Sequence, residues 1–247
     1  MRGALFAVLV PVLAFSGTAR AAHVEGPFGR GASQVWILFP TGRPRRIVVF
    51  GHGWKSTPPA TPLAWVDQFR PWLEHLAARG SAVVFPRYQL GAGDSAGPAR
   101  IDDYRRGLTT AFEHLRGLHV PVVVAGYSFG ASLAFSFAAE ARRWRLPQPA
   151  AVDAVFPAGP IESSPLPPLR RAVRVLIQVG DRDTEAGSAG ASAFRAWLGA
   201  HALRYVLVRS TGSFVATHAT PKETGAAARH AFWQPLDALV AAAGRTP

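Results

Sequence analysis

Short, continuous apolar runs recur along the chain, each closed by glycine, proline or charge. They predict strands over residues 34–39, 47–50, 82–85, 122–125, 152–156, 173–179 and 205–208. Most of these runs do not alternate with polar residues, which is the pattern of strands buried on both faces of a parallel sheet. Between them lie segments of helical period. Residues 62–79 carry Leu63, Val66, Phe69, Leu73 and Leu76 at three- and four-residue spacing. Residues 101–115 open with Asp102 and Asp103, acidic groups that favour a helix start. Further helices are expected over 128–143, 191–198 and 228–243, the last interrupted at Pro235. Strand and helix in steady alternation predict an α/β fold: a mostly parallel, doubly wound sheet with helices on both faces. The stretch 157–168 is rich in proline and reads as a loop, with no large cap domain inserted there.

Length and composition narrow this picture. A chain of 247 residues suits one large core. Arg2, an apolar run over 4–15 and then Ala19-Arg20-Ala21 predict an export signal over residues 1–21, cut after Ala21. The expected mature protein is a single domain over 22–247, secreted or periplasmic. The apolar run falls short of the roughly 20 residues a membrane span needs, so no stable span is expected once the signal is removed. The sequence has no cysteine, which excludes a disulfide framework and a Cys-based zinc site. The formal charge of +12 comes almost wholly from scattered arginines; lysine stands only at Lys55 and Lys222. No basic helix face interleaved with aromatics accompanies them, so a nucleic-acid partner is not expected.

Candidate chemistry enters with G-x-S-x-G, a pattern that occurs twice. One copy is Gly93-Asp94-Ser95-Ala96-Gly97, the other Gly126-Tyr127-Ser128-Phe129-Gly130. The pattern gains meaning only where a strand runs directly in and a helix directly out, so that a tight turn exposes the hydroxyl. Ser128 meets this demand, with 122–125 leading in and 131–141 leading out. Ser95 does not, because residues 86–92 separate it from its strand and Pro98 follows closely. Ser128 is therefore the expected nucleophile, and Ser95 is read as part of a Gly/Ser loop.

With these residues the chain resembles the α/β-hydrolase superfamily of esterase- and lipase-like serine hydrolases. The resemblance spans nearly the whole expected mature chain through element order. It rests further on His52-Gly53-Trp54 after the strand 47–50, on Gly180-Asp181-Arg182-Asp183-Thr184 after 173–179, and on Thr217-His218-Ala219-Thr220-Pro221 after 205–208. It implies Asp183 as the triad acid, through the family's Gly-x-x-Asp spacing, ahead of Asp181 and then Asp153. It implies His218 as the triad base, because the family carries that histidine in the loop after its last strand; His75, His114 and His230 fall in helices, and His119 and His201 before strands. It implies the backbone N–H groups of Trp54 and Phe129 as the oxyanion hole. The order Ser128, Asp183, His218 is the order of this fold.

The expected activity is hydrolysis of carboxylic esters through an acyl-enzyme on Ser128. The expected partner is a small-molecule ester, and neither metal nor organic cofactor is required. Peptidase, thioesterase and acyltransferase chemistry use the same triad and remain alternatives, as does a non-catalytic hydrolase-fold binding protein.

Overall fold

A computed structural model describes residues 23–57, 59–91, 94 and 97–244. The expected export signal, its cleavage point and Ser95 lie outside the described residues. Eight strands form one sheet: β1 His23–Phe28, β2 Val35–Phe39, β3 Arg46–Gly51, β4 Ser81–Pro86, β5 Val122–Tyr127, β6 Ala151–Val155, β7 Arg174–Gly180 and β8 Leu203–Val208. Their spatial order is β1-β2-β4-β3-β5-β6-β7-β8. β2 pairs antiparallel with β1 and with β4, and every pair from β4 to β8 is parallel. Successive residues of a strand face opposite sides, and every residue of β4, β5 and β6 is buried, so both faces of the sheet are covered. This is the doubly wound architecture that the apolar runs predict.

The main helices are α1 Leu63–Asp67, α2 Arg70–Ala78, α3 Ala99–His114, α4 Phe129–Glu140 and α5 Ala189–Leu198; a single turn, α6 Ala226–Ala228, leads towards α7 Gln234–Ala243. The core joins helices to sheet through aromatic contacts. Trp72 of α2 meets Phe50 of β3 at 5.1 Å between ring centroids and stacks on Trp233, just before α7, at 5.6 Å.

Three features differ from expectation. The helix expected over 62–79 breaks after Asp67 and restarts at Arg70, with Pro71 in the first turn of α2. Proline has no N–H for a preceding carbonyl and its ring crowds the turn before it, so a continuous helix could not pass this point. Near the C-terminus Pro235 starts α7 rather than interrupting it, and a π-helical turn, Arg229–Trp233, joins α6 to α7. Strand β1 was not expected at all. It is an edge strand with four of its six residues exposed, so it carries no apolar run to read.

Between β6 and β7 the chain forms no helix or strand, so no cap covers the sheet from there. The carboxyl ends of β3, β5, β7 and β8 are thereby left to the loops that follow them. Among the described residues no helix is long and apolar enough to cross a membrane.

Candidate active site

β5 ends at Tyr127 and α4 begins at Phe129, so Ser128 alone makes the turn. Its backbone lies at φ 57° and ψ −123°, where residues with a side chain are rarely found. Such a conformation costs about 1–3 kcal/mol and persists only when its surroundings enforce it. The flanking glycines permit the enforcement. A Cβ on Gly126 would stand 2.1 Å from the Gly130 carbonyl oxygen, and one on Gly130 would stand 2.3 Å from the Gly51 carbonyl carbon. Strand, turn and helix are thus pressed together as only glycine allows. The Ser128 N–H donates to the Val155 carbonyl at 2.8 Å, which ties the turn to β6.

Ser128 borders a cavity of about 300 Å³. Its lining includes Trp54 and Lys55 from the loop after β3, Tyr127 from β5, Glu185 from the loop after β7, and His218 and Lys222 from the segment after β8. A larger cavity, about 570 Å³, lies beside α3 and α4. Of its three serines, Ser136 is bonded to the Ser132 carbonyl and to Glu162, and no histidine lines that cavity to activate any of them. Chemistry therefore points to the smaller one.

The structure brings Ser128, His218 and Asp183 to one end of the sheet. His218 is buried, and its Nδ1 stands 3.1 Å from Asp183 Oδ1. That is ion-pair distance, but the direction falls short of an aligned hydrogen bond, and Asp183 Oδ2 is buried with no partner. Asp183 Oδ1 also accepts the N–H groups of Glu185 at 2.9 Å and Ala186 at 3.2 Å, which fix the carboxylate in its loop. Among the described residues no hydrogen bond joins the Ser128 hydroxyl to the imidazole; such bonds commonly tighten only once substrate is bound. Tyr127 steadies the histidine from below, its hydroxyl donating to the His218 carbonyl at 2.6 Å.

The other candidates are placed elsewhere. Asp181 accepts the N–H and hydroxyl of Ser210 at 3.0 and 2.6 Å and does not line the cavity. His75 bonds Asp237 at 2.8 Å, His201 bonds the Val173 carbonyl at 2.6 Å, and His230 bonds Gln234 at 2.8 Å. Asp153 is wholly buried within β6, where Gln178 Nε2 donates to its carboxyl oxygens at 3.0 and 3.1 Å. Burial pushes its carboxyl up to about 7, with the Gln178 bond opposing. A free aspartate titrates near 3.9, so this group favours the fold fully below about pH 4 and loses that contribution as pH rises through about 7. We expect Asp153→Asn to raise the melting temperature at pH 8 relative to wild type, and to do so less at pH 5. Thermal melts across that range check this; a gain that is equal at both pH values contradicts it.

The loop and helix start expected to form the oxyanion hole are held by a network that the sequence does not announce. Phe129 is the first residue of α4, so its N–H has no acceptor within the helix, and the helix's positive end adds to its pull on an anion. Trp54 follows His52 and Gly53, and its ring lies 5.6 Å from that of Phe129. The buried Gln89 clamps the next residue, accepting the Lys55 N–H at 3.0 Å and donating to its carbonyl. Tyr88 donates to the His52 carbonyl, and its ring stacks on the His52 imidazole at 4.1 Å. Burial pushes His52 down to about 3, so it is neutral, and its Nδ1 lies 2.8 Å from the Gly53 carbonyl, placed to donate. His52 thus shapes the loop and adds no charge. Among the described residues no group of three or more histidine, aspartate or glutamate side chains could hold a metal.

Comparison with known proteins agrees with this architecture. A family model described as the thioesterase domain matches residues 58–228. Among solved structures, esterase B from Lactobacillus rhamnosis superposes with a TM-score of 0.67 at 16% identity, covering 91% of this chain and 87% of that one. A thermophilic esterase from the Planctomycetes species Thermogutta terrifontis gives a TM-score of 0.67 at 17% identity, with 92% and 94% coverage. An esterase from Pyrobaculum calidifontis gives 0.62 at 18% identity, with 86% and 81% coverage. No curated protein matches the chain in sequence. At these identities the structural likeness speaks for a shared α/β-hydrolase fold.

Proposed function

The chain belongs to the thioesterase-domain family, within the α/β-hydrolase fold, and from that premise we propose that it is a serine hydrolase cleaving carboxylic esters through an acyl-enzyme. The observation that carries this reading is Ser128 at φ 57° in the turn between β5 and α4, on the same cavity as His218. A free hydroxyl is a poor nucleophile at neutral pH. His218 Nε2 takes the Ser128 proton as Oγ attacks the carbonyl carbon. Asp183 beside Nδ1 holds the imidazole in the required orientation and stabilises its protonated form. The N–H groups of Trp54 and Phe129 bond the oxygen as it becomes negative. His218 then returns the proton to the leaving group, and the carbonyl re-forms as that bond breaks. Water, deprotonated by His218, attacks the acyl-serine and releases the acid and free Ser128.

The family match favours thioesters as a second substrate class, since the same steps expel a thiolate in place of an alkoxide. Initial rates on 4-nitrophenyl butyrate and on a butyryl thioester test both. Turnover of either, lost in Ser128→Ala, supports the reading. A folded protein that turns over neither contradicts it.

Export is part of the same proposal, supported by Arg2, the apolar run over 4–15 and Ala19-Arg20-Ala21. The mature N-terminus is expected at Ala22. N-terminal sequencing of exported material checks this, and an intact Met1 on folded cytosolic protein contradicts it.

A further inference from the structure

We infer that the Ser128 cavity is built for esters carrying an anionic group, a carboxylate or phosphate, held by Lys55 and Lys222. The inference rests on the hydrolase reading above and adds the substrate class. Its first support is where the lysines stand. The chain uses arginine almost everywhere it carries a cation, and its two lysines, at 55 and 222, both line this one cavity. They arrive from opposite sides of the sequence, one on the loop after β3 and one beyond His218.

The second support is that neither lysine is held in an ion pair. Among the described residues neither ammonium comes within the 4.0 Å of a carboxylate that would make an ion pair. Glu185, the acid on this cavity, instead stands 3.8 Å from His218 Nε2, and its side chain is largely exposed, so water weakens its pull on either lysine. Lys222 is half-buried, with its ammonium 5.4 Å from the centre of the Tyr127 ring, which fixes the direction of its stem. Lys55 has its backbone clamped by Gln89, which fixes the point from which its side chain extends at the cavity. Burial and then the Lys55 charge pull Lys222 below its ordinary value, with Glu185 opposing them in part. Two like charges facing one partly buried space repel, and a bound anion removes that repulsion. An ammonium also offers three donors without a fixed plane, which suits either carboxylate or phosphate oxygens.

The proposal leaves the proton steps as written and concerns the part of the substrate away from the scissile bond. Compared under low salt are kcat/KM for neutral 4-nitrophenyl butyrate and for two monoanions of similar length. These are 4-nitrophenyl hemiglutarate, with its carboxylate on the acyl side, and 4-carboxyphenyl butyrate, with it on the leaving-group side. Ratios are normalised to the hydroxide-catalysed rate of each ester. At least one anionic ester is expected to be preferred tenfold or more, since a charge-assisted bond in a sheltered site is worth about that much or more. The preference should shrink as salt rises, and should collapse towards one in Lys222→Met or Lys55→Met. Because each ratio comes from one preparation, partial unfolding of a variant cancels. Equal use of neutral and anionic esters by the wild type overturns the inference and leaves the hydrolase reading intact. A preference that survives both substitutions also overturns it, as does an equal loss on neutral and anionic esters, which would assign the lysines to the reacting oxygen instead. Failure to turn over any ester, with no labelling of Ser128 by a fluorophosphonate, overturns the hydrolase reading and this inference with it.

Discussion

Replacing Ser128 with alanine is expected to lower turnover of an activated ester by roughly a millionfold, leaving only what the oxyanion donors and binding supply. The reason is positional. Ser128 occupies the single residue between β5 and α4, and no other serine in the described residues shares that geometry with a histidine on its cavity. On the proposed mechanism, removing Oγ removes the atom that forms the acyl bond, and Ser56 and Thr57, the other hydroxyls on the cavity, stand outside the turn between β5 and α4. The fold should survive, since alanine fits wherever serine does; any change in melting temperature reports only the strained turn. Ser95→Ala in the other G-x-S-x-G copy is expected to keep most activity. Steady-state rates of the two purified variants decide between them, and a dead Ser95→Ala beside an active Ser128→Ala would refute the assignment.

Asp183→Asn is the next largest expected effect, a loss of about four orders of magnitude in turnover. Asp183 Oδ1 already accepts two backbone N–H groups while standing 3.1 Å from His218 Nδ1. An asparagine that keeps its oxygen on the same two N–H groups places a neutral amide oxygen, in place of a charged one, beside His218 Nδ1. The imidazolium that forms as Ser128 gives up its proton then lacks the negative charge that stabilises it. Asp181→Asn is expected to cost far less, because Asp181 is tied to Ser210 and stands off the cavity. Rates for both variants, each checked for an intact far-ultraviolet spectrum, measure the ranking. A reversed ranking would move the acid to Asp181.

Much of this architecture is legible in the chain because parallel strands buried on both faces leave an unmistakable trace. Residues 122–125 and 82–85 are wholly apolar, and each lies in a strand with every position covered. The Ser128 turn is legible for a related reason: Gly126 is demanded by the Gly130 carbonyl four residues on, although Gly130 is itself demanded by Gly51 of the neighbouring strand. What stays hidden is built from distant partners. Gln89 reaches Lys55 across 34 residues, and Tyr127 reaches the His218 carbonyl across 91. Lys222 and Lys55 look like stray cations until the fold sets them on one cavity. The cavity lining sets two lysines and a glutamate beside Trp54 and leaves Phe129 out, a polarity that the local motifs do not announce. The edge strand β1 is hidden because it is exposed, and the break before α2 follows from Pro71, whose effect on the preceding turn outweighs the apolar period around it.

The central claim is that Ser128 is an activated nucleophile. The most direct test is to treat the purified, folded protein with a fluorophosphonate and locate the adduct by peptide mass spectrometry. Phosphonylation consumes the hydroxyl proton and expels fluoride, so it requires a serine whose proton can be taken. The account predicts one adduct per chain, on Ser128, absent from Ser128→Ala and strongly slowed in Asp183→Asn. An adduct on Ser95, or an unlabelled Ser128 in folded protein, would contradict it.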